Sequence, residues 1–227
     1  MFFRSKCYDR TFDAHGHHAV RIRRILDWLA IGEDSFDDRM VTMKEELNNS
    51  KYHEFHTFAW DTGFDSEGKI IDFCWKSQTD AIVFTDGSFK ENMTGSAAVL
   101  YKLEYAADKK SLIQVDQSVS SSTGNSSYMA EMAALALTNE LVDRDASYQN
   151  LVVLTDSQAL LRKMHKGPST HSDMSWASTL NSFNKNKTHT WAFVRSHSNI
   201  SGNDKADHLA NVAREEKGNF TQPVLRQ

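Results

Sequence analysis

From Ala81 onward, short apolar runs alternate with longer stretches in which apolar residues return every three or four positions. AIVFTD reads as a strand, and GSAAVLYKLEYA and KSLIQVDQSVS read as two longer strands joined by the charged turn ADKK, which makes them a hairpin. SSYMAEMAALALTNELVDRD is alanine-rich and periodic, and predicts a helix. LVVLTD is a further strand, SQALLRKMHK a helix stopped by Gly167-Pro168, HSDMSWASTLNSFNK another helix, HTWAFVRSH a last strand, and ISGNDKADHLANVAREEK a last helix with Ser201 as its cap. Helices between the later strands imply parallel crossovers. The pattern therefore predicts an α/β fold, a mixed five-stranded sheet with helices on both faces.

The first 80 residues follow a different rhythm. HHAVRIRRILDWLA places Val20, Ile22, Ile25, Leu26 and Leu29 toward one side of a helix, and DDRMVTMKEELNN predicts a second. FHTFAWDTGFDSEGKIIDFCW predicts short extended segments around a turn at Asp65 to Gly68. The expected division is a mostly helical N-terminal extension over 1–79, a sheet domain over 80–217 and a short tail over 218–227. The serine-rich SVSSSTGNSS reads as a loop.

Composition narrows the classes. With 227 residues and 40% hydrophobic content, the chain can bury one good core. No apolar run approaches the roughly 18 residues that a membrane span needs, and MFFRSKCYDRTFDAHGHH does not resemble a signal peptide. The expectation is a soluble intracellular protein, cytoplasmic or nuclear, with no membrane partner. Cys7 and Cys74 are too few for a disulfide framework or a zinc site, and read as reduced thiols. The net charge of −4 arises in residues 1–80, with 11 Lys and Arg against 15 Asp and Glu; the rest balances at 15 against 15. A nucleic-acid partner is not announced by bulk charge and has to be argued from a site.

Two predicted strands end in an acid, Asp86 and Asp156. In an open α/β sheet, ligands sit outside the carboxyl ends of the parallel strands. Each acid alone has an ordinary reading, Asp86-Gly87 as a turn pair and Asp156 as a helix cap. Side by side they repel unless a cation holds them, and a hard divalent ion such as Mg²⁺ accepts such a cluster. Glu131 lies in a helix among Met129, Ala130, Met132 and Ala133, where a glutamate either escapes to solvent or is held for a purpose. In the last helix Asp207 keeps company with Ala206, Leu209, Ala210, Val212 and Ala213; Asp204 stands three residues before it, and His197 closes the last strand ten residues before Asp207.

TDGS at 85–88, AEMAAL at 130–135, TDSQ at 155–158 and the histidine-to-aspartate run HSNISGNDKAD resemble, in order and spacing, the four-carboxylate signature of the type I ribonuclease H family. RSHSNISGNDKADHLA is most similar to the ribonuclease H domains of retroelement reverse transcriptases. The resemblance covers about residues 80 to 217. It implies a ribonuclease H-like sheet, and an endonuclease that hydrolyses the RNA strand of RNA/DNA hybrids, leaving 5′-phosphate and 3′-hydroxyl ends. It implies that Asp86, Glu131, Asp156 and Asp207 bind two Mg²⁺ ions, or Mn²⁺ in their place, with His197 assisting proton transfer or product release. Asp204 ranks behind Asp207 as a ligand. Ser88, Gln158 and Asn203 are implied as substrate contacts across the minor groove.

The chain departs from the family in three places. Ser127 and Tyr128 stand where many members have asparagines, with Asn125 a little earlier; the segment from Arg162 to Lys187 is too short for a basic helical handle; and the N-terminal region lacks a recognisable hybrid-binding module. Arg21, Arg23 and Arg24 offer either a substitute grip or an exposed helix face, and DAHGHH either a metal site or polar surface. Two alternatives belong to other classes. One is a non-catalytic nucleic-acid-binding module that kept the fold. The other is the C-terminal fragment of a retroelement polyprotein, in a reverse transcriptase context, with residues 1–80 as the connector. A 3′-5′ exonuclease would carry an acid two residues after Asp86, where this chain has Ser88.

Overall fold

A computed structural model describes residues 55–106, 109–124, 126–144, 147–167 and 174–216. The two predicted helices at 17–30 and 37–49, the Arg21, Arg23 and Arg24 cluster, the DAHGHH histidines, Cys7 and Asn125 lie outside these residues. The elements are β1 (His56–Phe64), α1 (Glu67–Lys76), β2 (Ala81–Lys90), β3 (Met93–Ala106), β4 (Lys109–Thr123), α2 (Ser127–Arg144), β5 (Asn150–Thr155), α3 (Gln158–Lys166), α4 (Met174–Ser182), β6 (Thr188–Val194) and α5 (Ser201–Glu215). No described helix is long and apolar enough to cross a membrane.

The strands form one mixed sheet in the order β1-β6-β5-β2-β3-β4. The parallel pairs are β1 with β6, β6 with β5 and β5 with β2, while β2, β3 and β4 run antiparallel. The five expected strands are present, and a sixth, β1, is added at the edge. Residues 56–76, placed by their sequence in the N-terminal extension, thus supply a strand of the sheet and a helix packed on it. HTFAWDTGF is extended as expected, and it belongs to the sheet rather than to a separate extension; its ladder with β6 breaks between Ala59 and Phe64 and its burial does not alternate. The expected turn and extended segment after Asp65 are corrected to helix α1. Ile70 and Cys74, four residues apart, are its buried pair, so the period is helical although Ile, Phe and Trp suggest a strand.

Strand β2 runs past the Asp86-Gly87 pair to Lys90, so that pair is not a turn. The hairpin turns instead at Glu91 and Asn92, both with positive φ, as a tight two-residue hairpin requires. Residues of β2, β5 and β6 are buried on both faces. On one face Ile82, Phe84, Val152, Leu154, Ala192 and Val194 join Ile70 and Cys74 of α1 and Ala206 of α5. On the other, the long helix α2 lies against β2, β3 and β4. Ser201 does not cap α5; its hydroxyl donates to Glu67 Oε2 at 3.0 Å, tying the start of α5 to α1.

Parallel pairing also brings His56 of β1 opposite His189 of β6 in the core, their rings 4.8 Å apart. Trp191 Nε1 donates to His56 Nδ1 at 2.9 Å, so the His56 proton sits on Nε2, which donates to the Leu180 carbonyl at 3.0 Å. Protonating Nδ1 would set two donors against each other. Burial first, and His56 second, push His189 down to about 3. A histidine held neutral in the fold binds a proton more readily when unfolded, so its stabilisation is complete above its ordinary value near 6.5 and is lost as pH falls toward 3. The slope is about 1.4 kcal/mol per pH unit for the one proton. Thermal melts from pH 7 to 4 of a variant carrying Asp86→Asn and Glu131→Gln, which removes opposing carboxylate contributions, should show this fall. A flat profile would contradict a neutral buried His189.

Candidate active site

The β2–β5 register fixes the first two acids. Thr85 pairs with Thr155, so Asp86 and Asp156 follow on neighbouring strands at the same level. Alternation puts both on the sheet face that carries Phe84 and Leu154. The third acid arrives from the opposite side. Gly87 faces α2, where an added Cβ would overlap the backbone of Ala130 and Glu131, and Ser96 Oγ donates to the Ala130 carbonyl at 2.8 Å. This close approach of helix to strand delivers Glu131. Ligand oxygens of Asp86, Glu131 and Asp156 lie within 4.8 Å of one another.

Gly87→Ala should therefore act on the site through the backbone. It must push the first turn of α2 away from β2, and we expect activity to fall on the order of 100-fold, the effect of misplacing a reacting group by about 1 Å. Hydrolysis rates beside a circular dichroism spectrum would check this, and an active Gly87→Ala protein would sink it.

The cluster is electrostatically unsettled. Asp86 is 7% exposed and Glu131 9%. Burial, then the charges of Asp156 and Asp207, push Asp86 up to about 7. Burial, then Asp86 and Asp156, hold Glu131 well above the carboxylate range. Among the described residues the buried Glu131 Oε2 has no hydrogen-bond partner. Three hard oxygen donors and an orphaned carboxylate oxygen fit a divalent cation, which would restore full ionisation.

The remaining residues are placed as follows. Asp207, exposed on α5, is close enough to raise Asp86 but does not share the 4.8 Å grouping; Asp204 does not contribute to the shift. His197 is exposed in the loop from β6 to α5, with φ of 56°. Ser88 Oγ donates to Asn211 Oδ1 at 2.7 Å, Gln158 Nε2 donates to the Trp60 carbonyl at 3.0 Å, and Asn203 is 4% exposed with Oδ1 unpartnered. Ser88 and Gln158 are half-buried and Asn203 is buried.

Several residues at the site escaped the sequence. Ser196 Oγ donates to Asp156 Oδ2 at 2.8 Å. Thr62 of β1 bonds both the N–H and the carbonyl of Phe193 at 2.9 Å, and Arg195 N–H donates to the Phe64 carbonyl at 2.8 Å, so β1 holds the base of the His197 loop. Asn211 and Arg214 approach Asp207 and Ser88. Small polar residues in loops and on exposed helix turns carry no periodic signal.

The mixed sheet with helices on both faces, its carboxylates gathered on the central strands β2 and β5 and on α2, is a ribonuclease H-like fold. A family model described as RNase H matches residues 78–215, and the chain belongs to the RNase H family. This family is generally dependent on divalent metal, and the carboxylate triad is in place for one. Among solved structures the chain is similar to LC9-RNase H1, a type 1 RNase H with the type 2 active-site motif, at 15% identity over 61% of this chain and 73% of that one, with a TM-score of 0.50. It is also similar to RNase H1 from the halophilic archaeon Halobacterium salinarum NRC-1, at 18% identity over 60% of this chain and 98% of that one, with a TM-score of 0.48. LC11-RNase H1, solved in complex with an RNA/DNA hybrid, shares 17% identity over 60% of this chain and 98% of that one, with a TM-score of 0.49. Comparison with curated proteins gave no match.

Proposed function

We propose that this protein is an endonuclease that hydrolyses the RNA strand of RNA/DNA hybrids with divalent metal, leaving 5′-phosphate and 3′-hydroxyl ends. The observation that carries the reading is the meeting of Asp86, Glu131 and Asp156, from three separate elements, within 4.8 Å in a chain of the RNase H family. Asp207 completes the set from α5. These four carboxylates would hold two Mg²⁺ ions, or Mn²⁺, which when bound lower the pKa of the attacking water and neutralise charge on the scissile phosphate.

The chain's own groups supply the rest. The rigid β2–β5 register holds Asp86 and Asp156 at fixed spacing, so little reorganisation is left for the moment of reaction. Ser196 orients the Asp156 carboxylate. His197, on the loop that β1 secures, gives a proton to the leaving 3′ oxygen. Arg162 lies over Trp60 and Lys163 over Tyr128, two cations on the helix that follows Asp156, offered to the nucleic-acid backbone by a chain with no bulk positive charge. A retroelement-type origin of the domain is proposed from RSHSNISGNDKADHLA alone.

The test is cleavage of a labelled RNA/DNA hybrid in Mg²⁺, with duplex DNA, duplex RNA and single-stranded RNA as controls and with mapping of the product ends. Internal cuts in the hybrid alone, lost in Asp156→Asn, are expected. Hybrid binding without cleavage in Mg²⁺ or Mn²⁺ would replace the enzyme by a binding module.

A further inference from the structure

Helix α5 carries Asp207 on an exposed face, where a carboxylate is ordinarily free to choose among rotamers. Here its surroundings restrict it. Asn211, one turn later, donates from Nδ2 to the Asp207 carbonyl at 2.9 Å and to Asp207 Oδ1 at 3.0 Å. The opposite atom of that amide, Oδ1, accepts from Ser88 Oγ at 2.7 Å and from Arg214 Nη1 at 2.8 Å. Arg214 also donates to Ser88 Oγ.

The chemistry of the partners fixes the amide's orientation. A guanidinium has only donors, so the atom facing Arg214 is Oδ1; a backbone carbonyl only accepts, so the atom facing Asp207 is Nδ2. Turning the amide over would set Nδ2 against Arg214 and Oδ1 against the Asp207 oxygens, losing the bonds to both residues. The arrangement also needs α5 to lie directly on β3. It does so at Gly95, where an added Cβ would overlap the Ala210 carbonyl and the Arg214 backbone. Ser88 stands two residues after Asp86 on the same side of β2, so the network joins the strand of one candidate ligand to the helix of another.

We infer that Asn211 and Arg214 are positioning residues, which hold the Asp207 carboxylate in one orientation and aim it at the cation site shared with Asp86. Neither touches the cation or the substrate. The inference rests on the reading of Asp207 as a metal ligand and adds the relay that aims it. Groups that hold a ligand from behind typically change metal affinity by 10- to 100-fold when removed. The same relay assigns Ser88 to internal support of the site, and its hydroxyl is committed between Asn211 and Arg214.

The experiment titrates MgCl2 alone, by isothermal calorimetry, into the full-length metal-free protein and four variants, Asn211→Leu, Arg214→Lys, Arg214→Met and Asp207→Asn, each first shown by circular dichroism to melt as a folded protein. Asn211→Leu should weaken Mg²⁺ binding about tenfold or more. Arg214→Met should do the same. Arg214→Lys, which keeps a donor and the charge, should recover part of the loss. The half-saturating Mg²⁺ concentration for hybrid cleavage should rise in parallel, with the rate at saturating Mg²⁺ largely restored. If Asp207→Asn weakens Mg²⁺ binding while Asn211→Leu and Arg214→Met bind as the wild type does, the relay is wrong and the ligand reading stands. If Asp207→Asn itself binds as the wild type does, both are wrong.

Discussion

Asp86→Asn is expected to reduce hybrid cleavage on the order of 10³-fold or more and, in the same protein without metal, to raise stability at pH 8. The first effect follows from the position of Asp86 at the centre of the cluster, between Asp156 on the neighbouring strand and Glu131 on α2. The second follows from linkage. Burial and the adjoining carboxylates raise Asp86 from 3.8 to about 7, so the folded protein binds its proton more tightly than the unfolded chain does. Its protonated form favours folding. That contribution is complete below 3.8 and is lost as pH rises through about 7. At pH 8 the wild type therefore folds with the ionised carboxylate at full cost, on the order of 2–4 kcal/mol, which a neutral amide of the same shape avoids. Mg²⁺ should reverse the order by stabilising the wild type and leaving the variant almost unmoved. Thermal melts at pH 8, with and without Mg²⁺, read both effects. A metal-free Asp86→Asn protein less stable than the wild type would mean that the cluster is not a repulsive one awaiting a cation.

The chain cut at residue 78, where the family match begins, should fail to fold, whereas a chain beginning at residue 50 should fold and cleave. Phe64, Ile70 and Cys74 are buried against Ile82, Phe84, Val152 and Val194, so removing β1 and α1 uncovers one face of the central strands. Each large side chain lost contributes about 1.5–3 kcal/mol, a sizeable share of the roughly 5–15 kcal/mol that stabilises a domain. Trp191 Nε1 loses its His56 acceptor in the core. The edge of β6 becomes an open, apolar strand, which invites aggregation. The base of the His197 loop also loses Thr62 and the Phe64 carbonyl, so even a folded remnant should be poorly active. Comparing the soluble yield, circular dichroism and cleavage of the two chains tests this. A soluble and active 78–227 protein would show that β1 and α1 are dispensable additions.

What the sequence determined by itself was set by local rules. Short runs of β-forming residues gave strands β2 to β6, the 3.6-residue period gave α2 to α5, and helices between strands gave the parallel crossovers. Asp86 and Asp156 were legible because an acid at the end of an apolar run is conspicuous, and Glu131 because it interrupts an apolar helix. The tertiary structure alone decided the rest. The sequence announced β1 as an extended segment but not as part of the sheet, because it is held by pairing with a strand more than a hundred residues away. Gly87 reads as a turn residue until α2 is seen against it. Ser196, Thr62, Asn211 and Arg214 are ordinary polar residues along the chain, and they gain meaning only where folding sets one hydrogen-bonding group about 3 Å from another. Periodicity records which face of an element is buried, but not which polar atoms from distant segments will meet.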